Sequence, residues 1–252
     1  MRTDAEGLVI KESRVGESDR LVTVLTKQKG VLRAFVQRAE KAKSGKLAAT
    51  RLFSYSRFTI FEGRDKYIID DAQPMEIFFG LRKDIETLSL GQYFCELAGE
   101  LAPEGTEAGS FLRLMLNALY ILEKGTRQPL VVKAAAEMRM LSMAGYMPNL
   151  MCCCGCGVYE ADEMYFLPFE GKIICGSCAE DMLLQAGQAF PLSRGAMTAL
   201  RHTIYADFEK LFNFRLPSGA LCELSRASEA YVLHTLGKNL KTLEFYHAMA
   251  GK

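Results

Sequence analysis

Cys153-Cys154-Gly155-Cys156, followed after 18 residues by Cys175-Gly176-Ser177-Cys178, is the stretch that decides how this chain folds. Two Cys-x-x-Cys pairs at this separation are typical of a zinc ribbon, because each pair forms a tight turn that directs two sulfurs at one point. A β-hairpin over residues 165–167 and 172–174 brings the two pairs together. We therefore predict one tetrahedral, structural Zn²⁺ bound by Cys153, Cys156, Cys175 and Cys178.

Other interpretations of the cysteines stay open at this point. Cys152 is the alternative to Cys153 with a longer loop, whereas Cys154 is too close to Cys156 for the usual turn. Free thiols without a metal, or a redox dithiol, also fit the pattern. Cys95 and Cys222 lie on helical faces, where a cysteine usually acts as a small buried hydrophobic residue.

Length and composition indicate a soluble globular protein. The chain has 252 residues, of which 49% are hydrophobic and 24% charged, and its net charge is only +1. We find no apolar run of the roughly 18 residues that span a membrane and no signal-peptide core at the N-terminus. We therefore expect a cytoplasmic location, where thiols stay reduced and clustered cysteines bind metal rather than form disulfides.

The first 80 residues have the pattern of a small β-barrel. Residues 21–26 and 31–36 are β-rich and are joined by Lys27-Gln28-Lys29-Gly30, which predicts a hairpin. Residues 55–61 and 67–69 flank Glu62-Gly63-Arg64-Asp65 and predict a second hairpin. About five strands in this length favour a closed barrel, because closure leaves no exposed sheet edge.

After residue 80 the apolar spacing becomes helical. We predict helices over residues 81–101, 111–122, 129–145 and 195–208, and one last helix from Cys222 to about Met249. The domain division is therefore a barrel at 1–80, a first helical part at 81–150, a zinc-ribbon-like module at 151–180 and a second helical part at 181–252. The fold class is α+β and multidomain.

Positive charge is concentrated in residues 27–57, which hold nine basic residues and one acid, Glu40. This stretch carries +8, so the rest of the chain carries −7. Cationic patches bind phosphate backbones through counterion release. We predict that one face of the barrel binds DNA through Arg20, Lys27, Lys29, Arg33, Arg38, Lys41, Lys43 and Lys46.

Four aromatic residues of the barrel have two possible roles. Stacking on bases and packing in the core are the alternatives for Phe35, Phe53, Tyr55 and Phe58. Catalytic patterns are missing from the sequence: we find no G-x-x-x-x-G-K-[ST] loop and no paired carboxylates, and the three histidines lie in the C-terminal region. We therefore expect a protein that is not an enzyme.

Several motifs resemble the bacterial RecO proteins, which are recombination mediators of DNA repair. The motifs are Gly16-Glu17-Ser18-Asp19-Arg20-Leu21-Val22 near the start, the basic loop at 38–44, Gly145-Tyr146-Met147-Pro148-Asn149-Leu150 before the cysteines, and Leu240-Lys241-Thr242-Leu243-Glu244-Phe245 near the end. They cover nearly the whole chain in consistent order. One departure is Gln37, where the family usually has a glycine before the arginine of the loop.

The resemblance implies an N-terminal OB barrel, an α-helical body and an inserted zinc module with four cysteine ligands. It also implies binding of single- and double-stranded DNA, strand annealing, and loading of the RecA recombinase together with RecR, in association with the nucleoid. A further implied partner is the acidic tail of single-strand-binding protein, for which Lys133 and Arg139 on the third helix are candidate contacts. The rival hypotheses are a zinc-ribbon protein-interaction module without a direct DNA role and a metal-dependent enzyme.

Overall fold

The structure is a computed structural model of the chain, and it describes residues 2–39, 46–63, 66–179 and 189–251. The chain divides into two compact units. Met1–Lys124 together with Lys241–Lys252 form one, which we call the N-terminal unit, and Gly125–Leu240 form the other, which we call the inserted unit. The N-terminal unit combines the barrel with helices that precede and follow the inserted unit in the sequence. The four-segment division from the sequence stays a prediction.

The N-terminal unit contains a closed five-stranded β-barrel. Its strands are β1 (Arg2–Val15), β2 (Asp19–Thr26), β3 (Gly30–Val36), β4 (Ser54–Glu62) and β5 (Tyr67–Ile77). They follow the order β1-β2-β3-β5-β4, and β4 pairs back with β1. Of the five strand pairs described for this barrel, the β3–β5 pair is parallel and the others are antiparallel. This is the OB fold, and both hairpins expected from the sequence are present.

Alternating residues of the strands fill the barrel. On β3 the inward side chains are apolar and buried, whereas Arg33 and Phe35 between them are exposed. This period of two is what a strand with one buried face requires. The buried barrel core consists of Ala5, Val9, Val22, Val24, Leu32, Ala34, Val36, Ala39, Ala49, Phe58, Ile60, Ile69 and Ala72.

The turn between β2 and β3 depends on Gly30. Its φ of +60° lies in the left-handed region, and a Cβ there would be 1.9 Å from the carbonyl oxygen of Pro103. Thr26 closes the turn, since its hydroxyl donates to the Gly30 carbonyl over 2.9 Å and accepts from the Lys29 amide. Only glycine meets both the φ value and the close approach.

The helices are α1 (Lys46–Ala49), α2 (Ile85–Leu101), α3 (Gly109–Lys124), α4 (Pro129–Met143), α5 (Arg194–Tyr205), α6 (Ser218–Leu236) and α7 (Lys241–Met249). The prediction of one last helix from Cys222 to Met249 is wrong. Gly237, with a φ of +62°, ends α6 in the left-handed conformation that commonly terminates helices. The chain then starts α7, which belongs to the N-terminal unit.

Helix α7 packs on α2 within the N-terminal unit. Glu96 on α2 accepts hydrogen bonds from the backbone amide of Thr242, over 3.0 Å, and from its hydroxyl. Leu243 and Tyr246 are buried. Helix α2 itself begins with Asp84 as its N-cap, whose carboxylate accepts from the Thr87 amide.

The inserted unit combines α4, α5 and α6 with a four-stranded sheet. The strands are β6 (Asn149–Cys153), β7 (Met164–Leu167), β8 (Lys172–Cys175) and β9 (Phe190–Leu192), in the order β6-β8-β7-β9. Strands β7 and β8 form the antiparallel hairpin expected between the two cysteine pairs. Across the described ranges, no helix is both long enough and apolar enough to cross a membrane.

Candidate metal centre and nucleic-acid interface

The four cysteines of the two Cys-x-x-Cys pairs converge on one point. Their Sγ atoms all lie within 4.8 Å of one another. The sulfur of Cys175 is 3.6 Å from that of Cys153 and 3.7 Å from that of Cys156. A tetrahedral tetrathiolate with Zn–S bonds of about 2.3 Å requires sulfur separations of about 3.8 Å, whereas a disulfide requires about 2.05 Å. The group therefore has the dimensions of a metal site.

The sheet of the inserted unit places these sulfurs. Cys153 is the last residue of β6 and Cys175 is the last residue of β8, and the two strands are neighbours. The Cys153 sulfur accepts from the amides of Gly155, over 3.4 Å, and Cys175, over 3.3 Å. Gly157 follows the first pair with a φ of +78°, which lets the chain leave the turn.

The sulfurs differ in acidity for physical reasons. Burial raises the pKa of Cys153, but hydrogen bonds from the backbone amides of Cys156, Cys175 and Gly155 outweigh it and lower the pKa to about 6. Hydrogen bonds with the sulfurs of Cys175 and Cys156 raise the pKa of Cys178 to about 12. Four sulfurs this close do not all ionise unless a cation compensates their charge, and the thiolate is the form that binds metals.

The remaining cysteines lie outside this cluster. Among the described residues, the metal-binding group contains Cys153 rather than its neighbours Cys152, which is half-buried, and Cys154, which is exposed. Cys95 is buried in α2, and burial raises the pKa of its thiol above the usual range. Cys222 is exposed, so the expectation that it is a buried hydrophobic residue is wrong.

The basic residues selected from the sequence do not form one continuous face. Lys27 and Lys29 lie in the β2–β3 turn, whereas Arg20 and Arg38 lie at the opposite ends of these strands. The seven residue steps from Arg20 to Lys27 along β2, at about 3.3 Å each, separate the two groups by roughly 23 Å. Lys41 and Lys43 lie outside the described residues. Lys46 begins α1 and is half-buried.

Two of these cations already have carboxylate partners. Arg20 is buried and forms an ion pair with Glu12. Lys29 Nζ lies 2.6 Å from Glu62 Oε2, and this hydrogen bond holds the pKa of Glu62 below its usual range. Arg33 is exposed on β3 and lines a cleft of about 500 Å³ together with four glutamates, so its surroundings are of mixed charge.

Arg38 is held in an unusual backbone conformation. Its φ is +53°, which is uncommon for a residue other than glycine and recurs at functional sites. Asp19 at the start of β2 accepts a hydrogen bond from the Arg38 amide over 2.8 Å. The backbone is therefore fixed at Arg38, and the Arg38 side chain is exposed.

The aromatic residues of the barrel separate into core and surface. Phe53 and Phe58 are completely buried, so they belong to the core. Tyr55 is half-buried and donates from its hydroxyl to Glu6 over 3.1 Å. Phe35 is 36% exposed, and the Lys66 ammonium lies 5.9 Å from its ring centroid. Phe35 is thus the one of these four rings with the exposure and the cationic neighbour that stacking on a base requires.

Lys133 and Arg139 do not have the exposure that a contact with a partner's tail requires. Lys133 is completely buried on α4, and its ammonium lies 2.8 Å from carboxylate oxygens of both Glu137 and Glu229. Arg139 is 9% exposed and donates to the carbonyl oxygens of Thr203 and Ala206. The prediction that Lys133 and Arg139 contact the tail of a partner is therefore corrected. Helical spacing placed both residues on α4, but both side chains are buried there, so their charged groups lie inside the inserted unit.

The predicted DNA-binding residues leave out two arginines, and one groove was not predicted. Arg14 on β1 and Arg51 after α1 line a small pocket with Arg20. The strand register, which pairs Arg14 with Arg20, is the signal that identifies this cluster. In the inserted unit, a groove of about 520 Å³ is lined by Phe169, which is exposed, and by apolar residues of α6 next to Arg226 and His234.

A closed OB barrel, a helical body and a four-cysteine cluster define an α+β multidomain protein with a cysteine module that could hold a metal ion. The model of the family "Recombination protein O N terminal" matches residues 1–78, and that of "Recombination protein O C terminal" matches residues 82–244. The chain therefore belongs to the recombination protein O (RecO) family.

Full-length relatives support this assignment. The chain is 35% identical, over 95% of its length and 94% of the relative, to a protein of Acetivibrio thermocellus named "DNA repair protein RecO". Proteins of the same name from Symbiobacterium thermophilum and Desulforudis audaxviator are each 30% identical, over 96% and 97% of this chain and 95% and 96% of their own lengths. The family supports a function in DNA repair.

Proposed function

We propose that this protein binds single- and double-stranded DNA through one end of its barrel, anneals complementary strands and helps RecR load the RecA recombinase during repair. The observation that carries the proposal is a pair of exposed arginines at one end of the barrel: Arg14, which lies opposite Arg20 in the β1–β2 pair, and Arg38, whose amide is hydrogen-bonded to Asp19 at the start of β2. The basic loop that contains Lys41 and Lys43 follows Arg38 directly. The protein acts without breaking bonds, in the cytoplasm at the nucleoid.

Electrostatics supplies the mechanism. Each phosphate that a lysine or arginine neutralises releases condensed counterions, so binding is strong at low salt and falls steeply as salt rises. Two strands held on one cationic surface repel each other less, because protein charge screens their phosphates. Annealing then follows from local concentration and reduced repulsion, and it needs no catalytic group.

The two ends of the barrel provide a matched experiment. Reversing charge at the arginine end with Arg14→Glu and Arg38→Glu, which are both exposed, should lower the affinity for single-stranded DNA by more than tenfold at low salt. The same charge change at the turn end, Lys27→Glu with Lys29→Glu, should lower it much less. Fluorescence anisotropy with a labelled oligonucleotide measures both. Equal losses from the two variants would contradict the assignment to one end, and no loss from either would remove the proposal.

Zinc is the ion we propose for the cysteine cluster. Four sulfur ligands favour Zn²⁺, and a closed tetrathiolate leaves no position for water, so the ion supports the fold rather than reacting. Cys153, Cys156, Cys175 and Cys178 would hold it. Metal analysis should give one zinc per chain, and cobalt-substituted protein should have a four-sulfur absorption spectrum. A nitrogen or water ligand in that spectrum would favour the metal-dependent enzyme instead.

The acidic tail of single-strand-binding protein is proposed to bind the inserted unit at the groove beside Phe169. The groove combines apolar walls with Arg226, and an acidic, hydrophobic peptide complements both. Arg226→Glu should weaken binding of such a peptide at least tenfold, because it places like charge beside the peptide carboxylates. Arg215→Glu, which changes charge equally but outside the lining of the groove, is the control. An unchanged affinity of the Arg226 variant would exclude this location.

A protein-interaction module without a direct DNA role is a second candidate. Its support is the exposed apolar surface on and next to the cysteine module, where Met147, Met151 and Tyr159 are each more than half exposed. Such exposed apolar residues mark interaction surfaces when they occur together. This candidate predicts that partner binding survives the Arg14→Glu and Arg38→Glu changes and that DNA binding is absent from the parent protein.

A further inference from the structure

The four-cysteine cluster has a covered side and an open side. Cys153 and Cys175 are only 2% and 3% exposed, whereas Cys156 is exposed and Cys178 is half-buried. The two buried cysteines are each the last residue of a strand and the first residue of a Cys-x-x-Cys pair. The sheet therefore covers one half of the cluster, and the second cysteine of each pair lies on the side towards solvent.

Backbone amides add to this difference between the sulfurs. The Cys153 sulfur accepts from the amides of Gly155 and Cys175, and each buried sulfur also accepts from the amide of the second cysteine of its pair. Among the residues that the structure describes, the Cys156 sulfur has only cysteine sulfurs as hydrogen-bond partners. Hydrogen bonds that stabilise a thiolate also lower its nucleophilicity, so Cys156 combines access from solvent with a sulfur that no amide stabilises.

We propose that this cluster is a peroxide-sensitive switch, in which a hydroperoxide oxidises the Cys156 sulfur and the cluster then releases its metal ion. The inference rests on the proposed zinc ion, because a metal-bound cysteine is a thiolate, which is the form that attacks a peroxide. Two sulfurs of the second pair are near enough to complete the reaction. That of Cys175 lies 3.7 Å from the Cys156 sulfur, and that of Cys178 lies within 4.8 Å.

The reaction consumes one peroxide for each cluster. The Cys156 thiolate attacks one peroxide oxygen, the O–O bond breaks and hydroxide leaves, which gives a sulfenic acid. A thiolate of the second pair then attacks that sulfur and displaces a second hydroxide, so that a disulfide forms. The two sulfurs lose two electrons, the peroxide gains them, and two protons from solvent convert the hydroxides to water. Two thiolates remain, which do not complete a tetrahedral site.

Two exposed cysteines outside the cluster provide matched controls. Cys154 lies two residues before Cys156, and Cys222 lies on α6, but neither belongs to the metal-binding group. If exposure alone determined oxidation, these two thiols would react in place of Cys156. The switch instead requires a thiolate that a metal ion holds beside two further sulfurs.

The experiment treats the zinc-loaded full-length protein with excess hydrogen peroxide and follows zinc release with a chromogenic chelator. The parent should release its zinc, and Cys154→Ser with Cys222→Ser should release it at the parental rate. Cys156→His keeps four ligands, since histidine also binds Zn²⁺, and should release zinc at least fivefold more slowly. Mass spectrometry of the oxidised parent should show a disulfide from Cys156 to Cys175 or Cys178, and a phosphine reductant with added zinc should reverse the change.

Failure of the switch differs from failure of the proposed ion. A parent protein that binds no metal contradicts the zinc proposal and removes the switch with it. A parent protein that binds zinc but keeps it in peroxide, while Cys154 or Cys222 is oxidised, overturns the switch alone, and so does a disulfide between Cys154 and Cys156. If Cys156→His does not bind zinc, the disulfide map of the parent is the deciding result.

Discussion

Replacing Lys133 with Met removes the ammonium from a buried group of three charges in the inserted unit. Glu137 is completely buried, and Glu229 has 22% of its side chain exposed. Burial alone lowers the pKa of Lys133, but the two carboxylates outweigh it and raise the pKa above its usual value. Removing one partner of a buried ion pair costs about 3–5 kcal/mol, because the remaining charge has no compensation.

Urea denaturation measures this loss. With a slope of about 2 kcal/mol per molar urea, a loss of 3–5 kcal/mol lowers the unfolding midpoint by roughly 1.5–2.5 M. The control is Lys210→Met, the same substitution at an exposed surface pair with Asp207, which should change stability by less than about 1 kcal/mol. A combined Lys133→Met, Glu137→Leu and Glu229→Gln variant should recover most of the loss, because no buried charge remains unpaired.

The pH dependence of stability is an independent test of the Lys133→Met variant. Burial raises the pKa of Glu137 above that of an exposed glutamate, even with Lys133 present. A carboxyl group with a raised folded-state pKa binds its proton more tightly when folded, so stability increases as pH falls through that pKa. The Lys133→Met variant should therefore regain stability as the pH is lowered from neutral towards the usual pKa of an exposed glutamate. A variant that loses less than about 1 kcal/mol, or a combined variant as unstable as the single one, would refute this reasoning.

Three further substitutions test other parts of the structure. Gly30→Ala should destabilise the protein by roughly 2–4 kcal/mol, because it combines left-handed backbone strain with a clash against a carbonyl. The control is Gly105→Ala, where φ is +72° but an added Cβ has no atom within 4 Å. It should cost only about 1 kcal/mol in the same urea experiment. Cys175→Ser with Cys178→Ser should abolish zinc retention on metal analysis and lower the melting temperature, and a variant that melts like the parent would contradict a structural ion. Glu96→Ala should destabilise the N-terminal unit by about 1–3 kcal/mol, since Thr242 loses its hydrogen-bond acceptor, and hydrogen exchange of the α7 amides should then accelerate.

The structural features that the sequence predicts correctly are those that depend on local periodicity and on residue spacing. The hairpin around Gly30 follows from strand residues on both sides of a turn, and the choice of Cys153 over Cys152 follows from the geometry of a two-residue knuckle. Spacing alone does not predict the break between α6 and α7, because the apolar pattern continues across it, although Gly237 marks the position. A helical pattern indicates an apolar face of a helix but not which unit that face packs in.

The charged residues show where sequence reasoning fails. The positions of cations along the chain do not determine where they lie on a barrel, because residues at the start and at the end of one strand lie at opposite ends of the barrel. Arg20 pairs with Glu12 on the adjacent strand, and Lys133 pairs with Glu137 one turn further along α4 and with Glu229 on α6. Counting charges in a window reveals neither arrangement. Arg14 lies outside the basic stretch, and only the register of β1 with β2 places it opposite Arg20.

The interrupted path of the chain affects how the protein is made. The N-terminal unit ends its first segment at Lys124 and receives its last helix only from Lys241 onward. During translation every residue of the inserted unit emerges from the ribosome before α7 does. The inserted unit can therefore fold as one continuous stretch, while the nascent barrel unit still lacks Leu243 and Tyr246 in its core. A chain cut after Leu240 would contain every residue of the inserted unit but would lack the last helix of the N-terminal unit.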